Sequence, residues 1–300
     1  MAQSAARLTA VVLGSAAGGG FPQWNCRCAV CCLAWDGDPR VRPRTQTGLA
    51  VSSDGARWVL LNASPDLGAQ IRAAKMLQPR ETPRHSPIAA VVLTGGEVDQ
   101  TAGLLNLRER QAFDLYATAP TLALIEANPM FEVLSSDIVK RRSASFGAPF
   151  VIAGLEIELF PVPGKVPLYR ESEGVLADTT AGVEIRRGKE RLVFIPGAAA
   201  ITDTVRERAA QADAVLFDAT VFADDEMIRA GTGSKTGRRM GHMPLDGEDG
   251  SLKALADLKK RRILIHINNT NPILIDGSSE RRRVEAAGWE VAEDGQEIVL

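Results

Sequence analysis

The sequence predicts an α/β protein of two similar halves, with two β-sheets packed face to face and helices on the outside. Three observations lead there. Each half opens on hairpin signals, each continues as alternating strand and helix, and the chemically useful side chains collect where strands end.

Leu8–Leu13 is a short apolar run that reads as a buried strand entering the glycine loop Gly14–Gly20. Gly48–Ser52 and Arg57–Asn62 flank Asp54-Gly55, a strong hairpin signal because a tight primed turn needs residues that tolerate positive φ. Ser64-Pro65 then introduces a helix over Asp66–Met76, where apolar residues recur at helical spacing. Ile88–Leu93 reads as a fully buried strand with a helix, Gln100–Arg110, behind it; the strand Asp114–Ala117 and the helix Pro120–Ala127 follow. The second half predicts strands at Leu155–Pro161, Ala181–Ile185 and Arg191–Ile195, then a helix over Thr202–Ala210. Ala214–Asp218, Arg262–His266 and Glu297–Leu300 are further strands, separated by helices around Ser251–Lys259 and Ser279–Ala287.

A formal charge of −2 and a sequence pI of 6.0 give no electrostatic case for binding nucleic acid or an anionic membrane. With 45% hydrophobic and 24% charged residues the chain can bury a large core. No linker, repeat or block of like charge marks a boundary, so residues 1–300 are read as a single domain. No segment approaches the roughly 18 apolar residues of a membrane span. Arg7 and the apolar run after it superficially resemble a signal peptide. The run is short and ends in glycines, so a cytoplasmic protein with reduced thiols is expected.

All four cysteines, Cys26, Cys28, Cys31 and Cys32, fall in one short stretch, a clip at about 24–35. Disulfides close loops between separated cysteines, whereas thiolates packed this closely suit one metal ion. The C-x-C-x-x-C spacing lets Cys26, Cys28 and Cys31 converge on one Zn²⁺ and leaves the fourth tetrahedral position to a distant residue. His242, in Arg238-Arg-Met-Gly-His-Met-Pro244, is the candidate, since Cys₃His is a common structural set; the alternative is a loop histidine bonded to backbone. Cys32 is surplus to tetrahedral coordination and reads as a packed thiol, and His85 reads as part of a surface turn.

A second constellation sits at strand ends. Glu97 and Asp99 follow the strand ending at Leu93, Asp218 follows Phe217, and His266 is followed by Ile267-Asn268-Asn269-Thr270-Asn271. Strand C-termini of an α/β sheet share one rim, so Asp99, Asp218 and His266 can face one crevice. Two carboxylates and an imidazole suit Fe²⁺ or Mn²⁺ better than a closed structural zinc site. The blander alternatives are a helix cap for Asp99, a turn residue for Asp218 and a satisfied core imidazole for His266. The loop Gly231–Arg239 offers Lys235, Arg238 and Arg239 to clamp an acidic ligand, or is merely solvated. Gly14–Gly20 lacks the residues of a phosphate loop and misses the dinucleotide spacing.

The strings Leu13-Gly-Ser-Ala-Ala-Gly-Gly-Gly-Phe-Pro-Gln-Trp-Asn-Cys26, Leu61-Asn-Ala-Ser-Pro-Asp66, Val162-Pro-Gly-Lys-Val-Pro167, Lys235-Thr-Gly-Arg-Arg-Met-Gly-His242 and His266-Ile-Asn-Asn-Thr-Asn-Pro272 carry a resemblance. The chain resembles the coenzyme PQQ synthesis protein B family of the metallo-β-lactamase-fold superfamily, almost end to end. The resemblance implies an αββα sandwich of two mixed sheets with a cleft across the sheet edges. It implies a structural zinc on Cys26, Cys28, Cys31 and His242. It also implies a role in making pyrroloquinoline quinone (PQQ): oxygenation, with Fe²⁺ and O₂, of the tyrosine ring of a joined Glu-Tyr precursor. Asp99, Asp218 and His266 would hold the iron; Lys235, Arg238 and Arg239 would hold the substrate carboxylates, with Asn268, Asn269 and Asn271 orienting ligands from behind. Other PQQ biosynthesis proteins and a second copy of the chain are the implied partners. One departure stands out. The superfamily motif His-x-His-x-Asp-His is here Gly95-Gly96-Glu97-Val98-Asp99-Gln100, with an amide in place of the last imidazole and Glu97 as a replacement donor. The rival reading is a carrier that takes PQQ or its precursor towards the periplasm unchanged. Metal-dependent hydrolysis is weakened by the missing His-x-His pair.

Overall fold

The computed structural model describes residues 7–80, 82–173 and 178–300. Two seven-stranded sheets form the centre. The first contains β1 (Thr9–Gly14), β2 (Gly48–Ser52), β3 (Trp58–Leu61), β4 (Ile88–Val92), β5 (Phe113–Ala117) and β6 (Val139–Ser143). The second contains β7 (Phe150–Ile152), β8 (Leu155–Pro161), β9 (Ala181–Arg187), β10 (Glu190–Ile195), β11 (Ala214–Asp218), β12 (Arg261–Ile265) and β13 (Glu290–Val291). β14 (Glu297–Val299) returns to the first sheet and pairs antiparallel with β1. The kinship of the halves is visible in the pairing. β1 to β3 and β7 to β10 run antiparallel, whereas β3 to β6 and β10 to β13 run parallel.

Period-two alternation sorts the side chains into layers. Ala90 and Val92 of β4, with Leu192 and Phe194 of β10, point into the space between the sheets. Val91 of β4 instead meets Leu67 of α2 (Leu67–Ala73) and Leu122 of α4 (Ala119–Glu126). On the far side, Val193 and Ile195 share a core with Val205 of α5 (Asp203–Gln211) and Val284 of α8 (Ser279–Ala286). The result is an αββα sandwich. The three cysteines belong to this last core, with Cys31 in α1 (Ala29–Trp35), Cys28 as its N-cap and Cys26 just before it.

Three departures from the sequence reading have local causes. The helix expected at Gln100–Arg110 is a short α3 (Val98–Thr101) running on as a 3₁₀ turn, Ala102–Leu107. Gly103 lies so close to the preceding loop that a Cβ there would stand 2.0 Å from the Ser64 carbonyl oxygen. The helix at Ser251–Lys259 is only α7 (Ser251–Ala254), with α6 (Glu226–Arg229) an additional short helix before it. β6, β7 and β13 lacked apolar alternation and were invisible in the sequence; β6 reads Val-Lys-Arg-Arg-Ser on a sheet edge, where charge discourages further pairing.

Phe194 is fully buried between the sheets. Phe194→Ala should therefore cost about 3–5 kcal/mol of stability, read as a lower denaturant midpoint at unchanged slope.

Candidate metal centres

Parallel strands deliver the reactive groups to one rim. Asp218 is the last residue of β11, His266 directly follows β12, and Asp99 lies in α3 beyond β4. Asp218 is completely buried. Its Oδ1 accepts from Thr220 N at 3.0 Å and Thr220 Oγ1 at 2.6 Å, and its Oδ2 from Ala198 N at 2.9 Å. His242 Nδ1 stands 2.7 Å from the same Oδ2. Four donors thus use all four lone pairs of the carboxylate.

His266 occupies a left-handed backbone position, φ 60°, which a non-glycine residue adopts at a cost of about 1–3 kcal/mol. The cost places Nδ1 2.8 Å from Thr220 Oγ1 and Nε2 3.1 Å from Asp99 Oδ2. Its ring stacks on His242 with centroids 5.1 Å apart. Thr220 has a single hydroxyl proton, and its 2.6 Å contact with Asp218 uses it. The hydroxyl can then only accept from His266, so His266 keeps a proton on Nδ1 and turns Nε2 towards Asp99.

The electrostatics follow. Burial alone would raise the Asp99 and Asp218 carboxyls, but the neighbouring imidazoles overcome it and hold both below the ordinary value of 3.8. Burial would lower His266; the Asp99 hydrogen bond and the charges of Asp99, Asp218 and Glu97 reverse this and raise it above 6.5. Without metal, a proton therefore lies between His266 Nε2 and Asp99 Oδ2. A divalent cation competes for the same two lone pairs, so the pair fits a metal. Donor atoms of Asp218, His242 and His266 lie within 4.8 Å of one another, and Asp99 adjoins this group through His266 Nε2.

Glu97 and Gln100 are engaged elsewhere. Glu97 caps α3 in a reciprocal capping box with Gln100, and its carboxylate also accepts from Leu168 N at 3.1 and 3.2 Å. Gln100 Oε1 accepts from Glu97 N at 3.2 Å. Glu97, expected as a replacement ligand, is a cap in this structure, and both its carboxylate oxygens face the Leu168 N–H.

In the clip, Cys28 N donates to Cys26 Sγ and Cys31 N to Cys28 Sγ, both at 3.4 Å. Such N–H···S bonds favour the thiolate, whereas burial pushes the metal-free Cys28 thiol up to about 12. A cation at the centre of the three sulfurs supplies what the thiolates lack, so the donor set fits zinc. The expected fourth ligand is a correction. His242 stands at Asp218 and not at the cysteines. The group facing all three sulfurs is the Asn269 carboxamide, its nitrogen 3.1 Å from Cys26 Sγ, 3.3 Å from Cys31 Sγ and 3.8 Å from Cys28 Sγ. Exchanging amide N and O, which hydrogen bonding alone decides, aims an oxygen at the same point. Cys32 is apart, its thiol on Arg27 O at 3.3 Å.

The remaining predicted residues are dispersed. Asn268 bonds Thr270 Oγ1, and Asn271 caps the turn Pro272–Leu274 while donating to Ala219 O, so both are buried and structural. Arg238 and Arg239 are exposed. Lys235 grips Glu171, with its Nζ 2.8 and 2.9 Å from the two carboxylate oxygens. Thr220 was missed by sequence reasoning, although positions i and i+2 of an extended segment share a side and Asp218-Ala-Thr220 shows that spacing.

Comparison with known proteins places the site in context. The model of the beta-lactamase superfamily domain matches residues 57–267. Coenzyme PQQ synthesis protein B of Methylorubrum extorquens is 56% identical over 296 residues, covering 97% of this chain and 99% of its own. Its namesake from Rhizobium meliloti (strain 1021) is 51% identical over 299 residues, covering 98% of each. The solved structure of Zn²⁺-bound PqqB from Methylobacterium extorquens superposes with a TM-score of 0.95 at 55% identity, over 97% of this chain and all of that one. A diphosphatase of the PhnP family, 21% identical with a TM-score of 0.69 over 98% of this chain and 97% of that one, shares the fold.

Two outcomes test the site. Carboxylate stabilisation is present above pH 3.8 and is lost as pH falls through the lowered values of Asp99 and Asp218. That of His266 is present below 6.5 and is lost as pH rises through its raised value. In metal-stripped protein, the stability advantage over His266→Gln should therefore be greatest between pH 3.8 and 6.5 and shrink on the alkaline side, as measured by thermal melts. Thr220→Val should weaken divalent-ion binding at this centre about 10–100-fold in a chelator competition, with Thr220→Ser restoring it and the clip zinc unaffected.

Proposed function

The chain belongs to the coenzyme PQQ synthesis protein B family, within the β-lactamase superfamily, and on that premise we propose that it acts in PQQ biosynthesis as an iron-dependent oxygenase. Its substrate would be the joined Glu-Tyr precursor, and its reaction the hydroxylation of the tyrosine ring. The observation that carries this reading is His266 Nε2 facing Asp99 at 3.1 Å with His242 and Asp218 beside them. Two imidazoles with carboxylate support are a donor set of non-haem iron oxygenases.

Asp99, Asp218, His242 and His266 would hold the ion, which when bound supplies the activation of O₂. Ligation by Asp218 would replace one of its four present bonds, and the His242 contact is the one a cation can take over. Thr220 keeps the His266 proton on Nδ1, so Nε2 stays available as a donor. Gly18 brings its loop against Asp99; a Cβ there would lie 3.5 Å from Oδ2, so a larger side chain would press on the carboxylate. Gly197 does the same for His242, with 3.2 Å from a built Cβ to Cε1. Zinc belongs in the separate cysteine clip, with Asn269 in the fourth corner.

The test is oxygen consumption by anaerobically loaded Fe²⁺ protein with the diamino-acid precursor, on admission of air. Uptake above the metal-only control, a hydroxylated ring and loss of both in His266→Ala support the proposal; uptake equal to the control discards it. Saturable binding of PQQ without any metal requirement would favour the carrier reading instead. Metal analysis of the same samples should show that His242→Ala retains about one clip zinc per chain, whereas Cys28→Ser loses it.

A further inference from the structure

The segment Leu168–Glu173 forms a 3₁₀ strap over the loop that bears Asp99. Leu168 N donates to the Glu97 carboxylate, and the Tyr169 hydroxyl donates to Gly96 O at 2.7 Å. Glu171 of the strap pairs with Lys235 of the loop that bears His242, and Lys165, just before the strap, reaches the same loop. Lys165 packs against Gly241, where a Cβ would meet Lys165 Cγ at 3.0 Å. Lys165 is also close enough to Glu97 for its charge to favour that carboxylate. The side chain of Lys165 thus lies against the loop that bears His242 and within electrostatic reach of Glu97.

At this point two ammonium groups from different segments meet one carboxylate. Lys165 Nζ lies 2.9 Å from Glu171 Oε1, and Lys235 Nζ reaches both oxygens of Glu171, at 2.8 and 2.9 Å. Arg238 and Arg239, exposed on the same loop as Lys235, form no ion pair among the described residues. The group is neither buried nor far from solvent, with side-chain exposures of 26% for Lys165, 36% for Lys235 and 40% for Glu171. Ion pairs this exposed contribute little to stability, so an incoming anion can exchange with Glu171 at small cost.

We propose that Lys165 and Lys235 form a carboxylate-binding subsite beside the strap that is tied to the Asp99 loop, filled in this structure by the chain's own Glu171. An acidic, amino-acid-derived substrate would take the place of Glu171. Its carboxylate would sit between the two lysines, while the strap, released at Glu171, stays tethered through Leu168 and Tyr169. The group resident between the two lysines is itself a carboxylate, which is the reason to name a carboxylate and not a phosphate. This inference deepens the reading above, because it names which part of an acidic precursor the site would hold. It also explains why Lys235, expected to bind substrate, is instead found on an internal acid.

The test uses full-length protein without added iron, so no turnover is needed. Binding of L-glutamyl-L-tyrosine is followed by calorimetry, with L-glutaminyl-L-tyrosine amide and inorganic phosphate as comparison probes. Glu171→Gln should tighten the acidic dipeptide about fivefold, the equivalent of one exposed ion pair, and produce no tightening of the carboxylate-free analogue. The double variant Lys165→Met/Lys235→Met should weaken the acidic dipeptide about tenfold, and raised salt should erase the difference between it and wild type. An unchanged dissociation constant in Glu171→Gln overturns the proposal. Equal tightening of the carboxylate-free dipeptide, or of phosphate, overturns the assignment to a carboxylate. If the dipeptide behaves as expected but no oxygen is consumed with iron present, the subsite stands and the oxygenase reading falls.

Discussion

The buried carboxylate of Asp218 is the constraint on which the reactive rim depends. Taking an ionised carboxylate out of water costs several kcal/mol unless its lone pairs are met by donors. Here the donors come from different stretches of chain: Ala198 after β10, Thr220 after β11, and His242 from the loop beyond α6. Each supplies what the carboxylate needs, and each is thereby fixed in place. Removing the carboxylate would free all three segments at once, including the two imidazoles that it orients, one directly and one through Thr220. Asp218 thus organises the site whether or not it also touches a metal.

The second organising element is the loop from His266 to Asn271. Within five residues it sends an imidazole to Asp99, a carboxamide to the cysteines and a hydroxyl to Glu226. Burial pushes Glu226 up to about 7, and its carboxyl is held by Thr270 Oγ1 at 2.6 Å and Phe222 N at 2.7 Å. This clasp joins the loop after β12 to the chain after β11. The clip and the reactive centre therefore share one short, buried connection. Zinc bound to the cysteines would stiffen the same loop that sets the unusual backbone angle of His266.

Much of this was legible in the residues, and the failures are instructive. Layering, the pairing of β2 with β3 and the buried parallel strands follow from apolar runs and from Asp54-Gly55. That Asp99, Asp218 and His266 meet follows from strand ends sharing a rim. The partner of His242 did not follow, because a loop histidine has no register to tie it to either candidate site, and ligand counting favoured the cysteines. Asn269 was read with its neighbours as a ligand-orienting group, since alternation in an irregular loop does not tell which side each residue faces. Lys165 drew no notice because only the fold brings it to Lys235.

The departure at Gly95–Gln100 is a coherent rebuilding of the rim. In the superfamily pattern, positions 95 and 97 would carry the imidazoles of the first hydrolytic metal. Here a Cβ on Gly95 would lie 2.5 Å from Gln100 Oε1 and 3.0 Å from Thr179 O, so a side chain there would have to push the Gln100 amide aside and crowd the Thr179 carbonyl. Gly95 instead bridges Thr180 of the second sheet. Glu97 caps α3 and ties down the strap, and Gln100 closes the capping box. The volume and donors that a first metal would need have been turned into backbone contacts. With no imidazole at positions 95 and 97, the donors on this rim are those of Asp99, Asp218, His242 and His266, and one cation held there would be poorly suited to the two-metal hydrolysis of phosphoesters. The same substitutions that remove the hydrolytic site create the footing for the strap, and through it the place where Glu171 meets two lysines.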